Sequence, residues 1–367
     1  MRLGIIGVRG IPNYHGGFEQ FAEYFSVYMA SEGHEVYVYN SHKHPYQENL
    51  FKKVNIIHCY DPEHIIGTSG QFIYDLNCII DSRKRKFDII LQLGYTSSSI
   101  WSKIFPKTSV VVTNMDGLEW KRSKYSAYVQ KFLKFAEKLA IKHSDYYISD
   151  SKGIYEYIKN KYQKESKYIA YGANVFLEPN RELLIKFNLV ANKYSILIAR
   201  LEPENNIETI IEGYSKSKKK EPLIIFGKVN KYGETLKIKF KHDNRIKFLK
   251  ANYNINELNN LRFHSRYYFH GHSVGGTNPS LLEAMASNAL IVAHNNIFNR
   301  SILGSEARYF DNSEEIKTLL DLDSYFLEKE KNCTINQLKI QKKYNWEKIN
   351  KTYKVYLTNI LKNDKSY

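Results

Sequence analysis

The feature that most constrains this chain is a pattern it carries twice. Short apolar runs rich in Val, Ile and Leu lie at residues 3–7, 36–39, 54–58, 88–92, 109–113 and 146–149, with helical spacing between them at 18–31 and 127–143. The second half repeats the scheme, with runs at 195–199, 223–226, 246–249, 267–270 and 290–293 and helical stretches at 206–216, 255–263 and 280–287. A strand that is apolar along its whole length is buried on both faces, and a parallel sheet covered by helices on both sides buries it so. Two such blocks predict an α/β chain of two doubly wound domains. A length of 367 residues suits two domains of roughly 150–200 residues better than one core. The seam is expected within 173–193, where Leu177-Glu178-Pro179-Asn180 breaks the periodicity and Pro179 disfavours helix at the residue before it. The expected domains are therefore 1–175 and 176–345. An amphipathic helix follows within 346–367, with Trp346, Ile349, Tyr353, Tyr356 and Ile360 on one stripe.

Charge narrows the partners without choosing among them. The chain has 54 Lys and Arg against 38 Asp and Glu, a formal net charge of +16. Such a surface attracts nucleic acid, anionic lipid and phosphorylated substrates alike. Cys59, Cys78 and Cys333 have neither the spacing of a disulfide framework nor that of a zinc site. No apolar run approaches the ~20 residues that span a bilayer. The start, Arg2-Leu3-Gly4-Ile5-Ile6-Gly7, reads as a strand rather than a secretory signal. A cytoplasmic protein is expected, one that would meet a membrane only from its surface. Two basic runs would suit that contact: Arg83-Lys84-Arg85-Lys86, and the helix at 127–143, where Lys131, Lys134, Lys138 and Lys142 accompany an apolar stripe of Val129, Phe132, Leu133, Ala136, Leu139 and Ala140. A core-packed helix with a solvated lysine face accounts for the latter equally well.

Doubly wound domains bind ligands at the C-terminal ends of their strands, so chemistry is sought in the loops there. Arg9-Gly10-Ile11-Pro12-Asn13-Tyr14-His15-Gly16-Gly17-Phe18-Glu19 follows the first strand. Its glycines either let backbone N–H groups approach a ligand or permit a tight turn at positive φ, and Glu19 suits a first helical turn in both cases. After 109–113 comes Asn114-Met115-Asp116-Gly117-Leu118-Glu119-Trp120-Lys121-Arg122. Asp116 is placed to orient a substrate hydroxyl, to take its proton, or to cap a helix. After 195–199 stands Arg200-Leu201-Glu202-Pro203-Glu204-Asn205-Asn206, in which Arg200 offers a guanidinium to a diphosphate or pairs with a neighbouring glutamate.

The most informative string is His270-Gly271-His272-Ser273-Val274-Gly275-Gly276-Thr277-Asn278-Pro279-Ser280-Leu281-Leu282-Glu283-Ala284-Met285-Ala286. Pro279 fits the first turn of a helix whose N-terminus then faces the Gly-Gly-Thr-Asn loop, a geometry suited to diphosphate oxygens. Glu283, one turn further, can accept hydrogen bonds from a ribose diol. His270 and His272 share a face, but no further ligands stand at suitable spacing and no metal site is expected. Asp321-Leu322-Asp323 has the Asp-x-Asp form of some divalent-cation sites, yet it lies in a leucine-rich helical stretch and is set aside.

Taken together, these motifs resemble the GT-B glycosyltransferases of glycosyltransferase family 4, over nearly the whole chain. Gly16-Gly17-Phe18-Glu19 and Gly33-His34-Glu35-Val36 match the family's opening; Arg200-Leu201, the Gly227 loop and Leu282-Glu283-Ala284-Met285-Ala286 match its nucleotide domain. The resemblance implies two Rossmann-like domains facing a cleft, the acceptor on the first and a nucleotide sugar on the second, with the last helix crossing back to the first domain. Three positions depart from the family. Glu283 matches the second of its paired glutamates, but Gly275 stands at the first; Asn205 replaces its phosphate-binding lysine; Met115, beside Asp116, replaces its histidine. Arg9-Gly10-Ile11-Pro12, the Asp116 string and the 270–279 string are similar to bacterial rhamnosyltransferases of capsule and cell-wall polysaccharide synthesis, which implies a dTDP-rhamnose donor.

The resemblance thus implies hexosyl transfer with retention of configuration, without a metal or other cofactor, to a lipid-linked glycan. The residues it implies are Asp116 and Glu283 for catalysis. For the nucleotide sugar they are Arg200, Gly227, His272, Gly275, Gly276, Thr277, Asn278 and Glu283. For the acceptor they are Gly16, Gly17, Glu19, Asp116 and Glu119. No nucleic-acid partner is expected. A transferase using a UDP-sugar, and a non-catalytic nucleotide-sugar- or sugar-binding protein of the same fold, remain the alternatives.

Overall fold

The computed structural model describes residues 1–115, 117–122 and 124–364, and the chain divides into two compact units. The first comprises Met1–Lys121, Tyr125–Tyr171 and Trp346–Tyr367. Its strands are β1 (Arg2–Ile6), β2 (Glu35–Ser41), β3 (Leu50–Phe51), β4 (Val54–Cys59), β5 (Ile89–Leu93), β6 (Val110–Asn114), β7 (Tyr146–Ser149) and β8 (Lys167–Tyr168), interspersed with helices α1 (Gly17–Ser31), α2 (Glu63–Ile66), α3 (Gly70–Ser82), α4 (Ala127–His143) and α5 (Lys152–Tyr162). They form one sheet in the order β3-β4-β2-β1-β5-β6-β7-β8. Pairing is parallel throughout except between β3 and β4. Leu3 of β1 pairs with Val36 on one side and Ile89 on the other, and β5 is buried at every residue, as a strand covered on both faces must be.

The second unit, Arg122–Lys124 and Gly172–Asn345, holds six strands: β9 (Ser195–Ile198), β10 (Leu223–Phe226), β11 (Ile246–Leu249), β12 (Tyr268–His270), β13 (Ile291–His294) and β14 (Arg308–Phe310). They are all parallel, in the order β11-β10-β9-β12-β13-β14. Its helices are α6 (Ile207–Lys216), α7 (Lys231–Lys239), α8 (Ile255–Phe263), α9 (Pro279–Ala286), α10 (Ile297–Leu303), α11 (Ser313–Leu322) and α12 (Lys329–Lys339). Asparagine side chains cap five of them. Asn230, Asn254, Asn278, Asn296 and Asn312 each accept a hydrogen bond from a backbone N–H of the first turn of α7 to α11, satisfying a donor the helix cannot.

With the two-residue edge strands β3 and β8 left aside, both sheets have the same order, third-second-first-fourth-fifth-sixth. The winding therefore reverses between β1 and β5 in the first unit and between β9 and β12 in the second. Those two places are where a doubly wound sheet opens a crevice for a ligand.

The last helix, α13 (Trp346–Asp364), belongs to the first unit. Its buried stripe is Trp346, Ile349, Tyr353, Leu357 and Ile360; Leu357 takes the place expected for Tyr356, which is half-buried and donates to the Tyr147 carbonyl. Trp346 stacks on Tyr24 of α1 at 4.5 Å, and Tyr353 packs on Phe21 at 4.6 Å. The stripe expected on α4 also needs correcting. Leu133, Ala136 and Ala140 are buried, but Val129 is exposed, and the buried face continues through Glu137 and Ile141.

Candidate functional site

At the winding reversal of the second unit, two loops leave the sheet. One runs from β9 through Arg200 and a 3-10 turn, Pro203–Asn205, into α6. The other runs from β12 through residues 271–278 into α9. Four hydrogen bonds join them: Asn206 Nδ2 to the Gly271 carbonyl at 2.8 Å, Ser273 N and Oγ to the Glu204 carbonyl at 3.1 and 2.7 Å, and His272 Nδ1 with Asn205 Oδ1 at 3.0 Å. The approach is so close that a Cβ on Gly271 would lie 1.9 Å from the Asn205 carbonyl oxygen. Asn205 also donates to the Arg200 carbonyl at 2.8 Å. Asn205 is thus a buried, neutral joint between the two loops.

Arg200 is exposed at the rim of this crevice. Its charge, after burial and His270 and beside Arg122, is among the causes that hold the His272 ring well below the ordinary imidazole pKa. Burial, with Arg262 and His294, lowers the pKa of the deeper His270 to about 3, so that ring is neutral. Gly275 adopts φ of 130°, with His272 Nε2 3.0 Å from where a Cβ would stand. Thr277 is buried, and Asn278 Oδ1 takes the Ser280 N–H at 2.9 Å, so its side chain serves as the cap of α9. Pro279 occupies the first helical turn. Gly227, after β10, would place a Cβ 2.5 Å from the Ala199 carbonyl, and close packing of β10 on β9 accounts for it.

Glu283 lies one turn into α9, its carboxylate partly exposed and ion-paired with Arg262 Nη2 at 2.6 Å. The sequence motifs do not single out Arg262, on α8, although its position carries a signal. Leu258, Leu261 and Arg262 are spaced as one buried helical face, so a charged residue there needs a partner. Arg122, the fourth charged group here, is buried and pairs with Glu204 Oε1 at 3.2 Å.

The corresponding reversal in the first unit lies between the loops after β1 and β5. The β1 loop is held from every side. Arg9 N donates to Glu19 Oε1 at 3.0 Å, and the Arg9 guanidinium forks onto Glu63 at 2.8 and 2.9 Å. Asn40 binds both the N–H and the carbonyl of Ile11, and Asn13 N donates to Glu23. Glu19 is thereby turned inward on the loop. Positive φ falls on Gly7 and Gly10; Gly16 is extended, at φ −176°, and begins α1 as its N-cap. Gly17 opens that helix. Past β6, Asp116 lies outside the described residues, and Glu119 begins a short 3-10 turn, half-buried. That turn is anchored by a residue not foreseen: Glu137 of α4, 2% exposed, accepts from Trp120 Nε1 at 3.1 Å, Tyr157 at 2.7 Å, Lys161 at 2.9 Å and Tyr162.

Of the Asp-x-Asp pair, Asp321 accepts the Lys218 N–H, and Asp323 is occupied by Arg266, Lys219 and Tyr267. Among the described residues, no group of three or more His, Cys, Asp or Glu is arranged to hold a metal ion.

Two doubly wound units of this order give the chain the GT-B fold, and comparison with known structures agrees. Sucrose-phosphate synthase from Thermosynechococcus elongatus superposes with a TM-score of 0.79 at 14% identity, covering 99% of both chains. HepE from Anabaena, in complex with UDP and glucose, superposes at 0.75 and 15% identity, covering 98% of this chain and 100% of its own. Trehalose 6-phosphate synthase from Burkholderia multivorans gives 0.70 at 10% identity, with 100% and 98% covered. Residues 2–174 match the family model described as Domain of unknown function (DUF1972). No curated protein matches the sequence.

Proposed function

We propose that this chain is a glycosyltransferase that moves a hexosyl group from a nucleotide diphosphate sugar on the second unit to a glycan acceptor on the first. The observation that carries this reading is the convergence at the β9/β12 reversal. Exposed Arg200 stands on the loop after β9, and the Gly275–Gly276–Thr277 backbone, the N-terminus of α9 and Glu283 on the loop and helix after β12, the two loops that leave the sheet where a doubly wound fold takes its ligand. In the reaction the bond from the sugar's anomeric carbon to a diphosphate oxygen breaks, and a bond to an acceptor hydroxyl oxygen forms. The hydroxyl proton passes to a base, the role given to Asp116, and the nucleoside diphosphate leaves. Arg200 and the α9 N–H groups meet the negative charge that develops on it, so the leaving group needs no metal ion. The family resemblance implies retention of configuration.

The resemblance favours dTDP-rhamnose as donor and a lipid-linked saccharide at the inner membrane face as acceptor. Helix α4 supports surface docking on anionic lipid: Tyr128 and Phe135 are exposed beside Lys131, Lys138 and Lys142, and its acidic residue, Glu137, is buried. Among the described residues no helix is long and apolar enough to cross a membrane. A UDP-sugar donor is the second reading, favoured by the complexes of HepE with UDP and with UDP-glucose.

The test is thermal stabilisation of the purified chain by thymidine, uridine, guanosine and adenosine diphosphates and their sugar conjugates, since a ligand that binds only the folded state raises the melting temperature. Selective stabilisation by dTDP and dTDP-rhamnose supports the first reading, and a uridine preference the second. Stabilisation by none of them overturns the donor site.

A further inference from the structure

Arg262 is an arginine with 1% of its side chain exposed, behind a glutamate with 16% exposed. A guanidinium taken wholly out of water is costly unless its donors are met; the Arg262 Nε has no partner among the described residues, and the two Nη groups carry its contacts. Here the fork is spread over two helices. Nη1 donates to Asn259 Oδ1 at 3.0 Å on α8 itself, and Nη2 donates to Ser280 Oγ at 3.2 Å and Glu283 Oε2 at 2.6 Å on α9. The acceptors are themselves fixed. Ser287 Oγ donates to Asn259 Oδ1 at 3.0 Å, and the Tyr268 hydroxyl meets Ser280 Oγ at 2.7 Å. The Arg262 guanidinium also lies 6.0 Å from the centre of the Tyr268 ring. The carboxylate of Glu283 is therefore gripped from its buried side by a cation that solvent does not reach.

We propose that Arg262 is a positioning residue for the sugar of the nucleoside: it holds the Glu283 carboxylate in one rotamer, facing the sugar hydroxyls as an acceptor. The inference rests on the donor-site reading above and adds to it the residue on which its hydroxyl recognition depends. A helix staple alone would need only the α8–α9 contact. A positioning role makes a further demand, that loss of Arg262 removes the preference for a ligand bearing sugar hydroxyls while leaving phosphate recognition in place.

The experiment measures dissociation constants for two probes, the diphosphate of whichever nucleoside binds among uridine, thymidine, guanosine and adenosine, and its analogue lacking the sugar hydroxyls (for the 2'-deoxynucleotide of thymidine, the lone 3'-hydroxyl). The wild-type chain is expected to prefer the hydroxylated probe by at least about ten-fold, the usual scale for hydrogen bonds to a charged acceptor. In Arg262→Met the preference falls below about three-fold, with the analogue bound as tightly as by wild type, and Glu283→Gln behaves the same. The double variant is no worse than either single, because the two residues act as one unit. Should Arg262→Met fail to fold, Arg262→Lys keeps the charge without the fork and is expected to restore only part of the preference. A folded Arg262 variant that retains the full preference overturns the inference, as does a wild-type chain that binds the diphosphate without any hydroxyl preference; in both cases the donor site stands. A wild-type chain that binds none of the four diphosphates overturns the donor site itself.

Discussion

Burial and exposure of single polar groups set the behaviour of the two crevices. The Asp75 carboxyl on α3 lies buried near the loop after β5, where Ser97 donates to it. Burial pushes its pKa from 3.8 to about 7, against the opposing effects of Ser97 and Arg9 and with a contribution from Asp61. A folded-state value above the unfolded one means that the native chain keeps a proton the unfolded chain releases. Stability from this group therefore falls as pH rises from about 4 to 7. Asp75→Asn removes that dependence, and should gain about 2–3 kcal/mol on wild type between pH 5 and pH 8. Urea denaturation at the two pH values reads this directly; parallel shifts at both would show that Asp75 is ionised in the folded chain. At the other crevice Arg200 is exposed and aimed at nothing the described structure makes essential. Arg200→Ala should leave the melting temperature within about a degree or two, as surface substitutions do, yet weaken nucleoside diphosphates about ten-fold or more without changing nucleoside binding. Equal losses for both ligands would remove the phosphate contact.

The elements were more legible in the sequence than the contacts between them. Helices α4 and α8 and strands β7, β10 and β11 form over the residues that periodicity marks. Strands β3, β8 and β14 were not marked. The first two are single pairs of residues, and β14 is Arg-Tyr-Phe, three residues at the sheet edge with Arg308 exposed, where neighbouring strands rather than local pattern fix the conformation. The loops of the site were legible as Gly-rich strings, but the reason for each glycine was not. Gly271 meets the backbone of Asn205, some 66 residues away in sequence, and Gly16 meets only Glu19 Oε2, at an ordinary 3.5 Å. Arg262 and Glu137 were passed over for the same cause, since their partners lie on other elements. The two glycines should therefore respond differently to substitution. Gly271→Ala must part the β9 and β12 loops and should cost about 1–3 kcal/mol, with loss of nucleotide binding. Gly16→Ala, extended and uncrowded at an N-cap, should cost about 1 kcal/mol or less. Denaturant midpoints with unchanged slopes would measure both, and a benign Gly271→Ala would mean the two loops are not rigidly joined.

The first unit is assembled from chain that lies on either side of the second. The path enters the second unit at Gly172 and leaves it at Asn345, and these points are adjacent there: Ala173 N donates to the Tyr344 carbonyl at 2.7 Å, and Ala173 bridges to Asn345. The second unit is thus inserted between Tyr171 and Trp346 of the first, and α13 returns to close the first unit's core only after the insertion has been made. The family model, ending at residue 174, covers the first unit without that helix. Magnitudes decide whether the omission matters. Trp346, Ile349, Tyr353, Leu357 and Ile360 are each at most 4% exposed, and burying five such side chains contributes up to about 10 kcal/mol, comparable with the ~5–15 kcal/mol that stabilises a whole domain. Their removal also bares Phe21 and Phe25 of α1, so a shorter chain has no substitute core. A chain ending at Asn345 should therefore lose the cooperative unfolding transition of the first unit and keep that of the second. Proteolysis should degrade it from the N-terminal side while sparing residues 172–345. A synthetic 346–367 peptide should restore the lost transition in proportion to its concentration, as a ligand of the folded state would. An unaltered two-unit melt in the truncated chain would mean that α1 finds another cover and that the first unit folds within the limits of the family model.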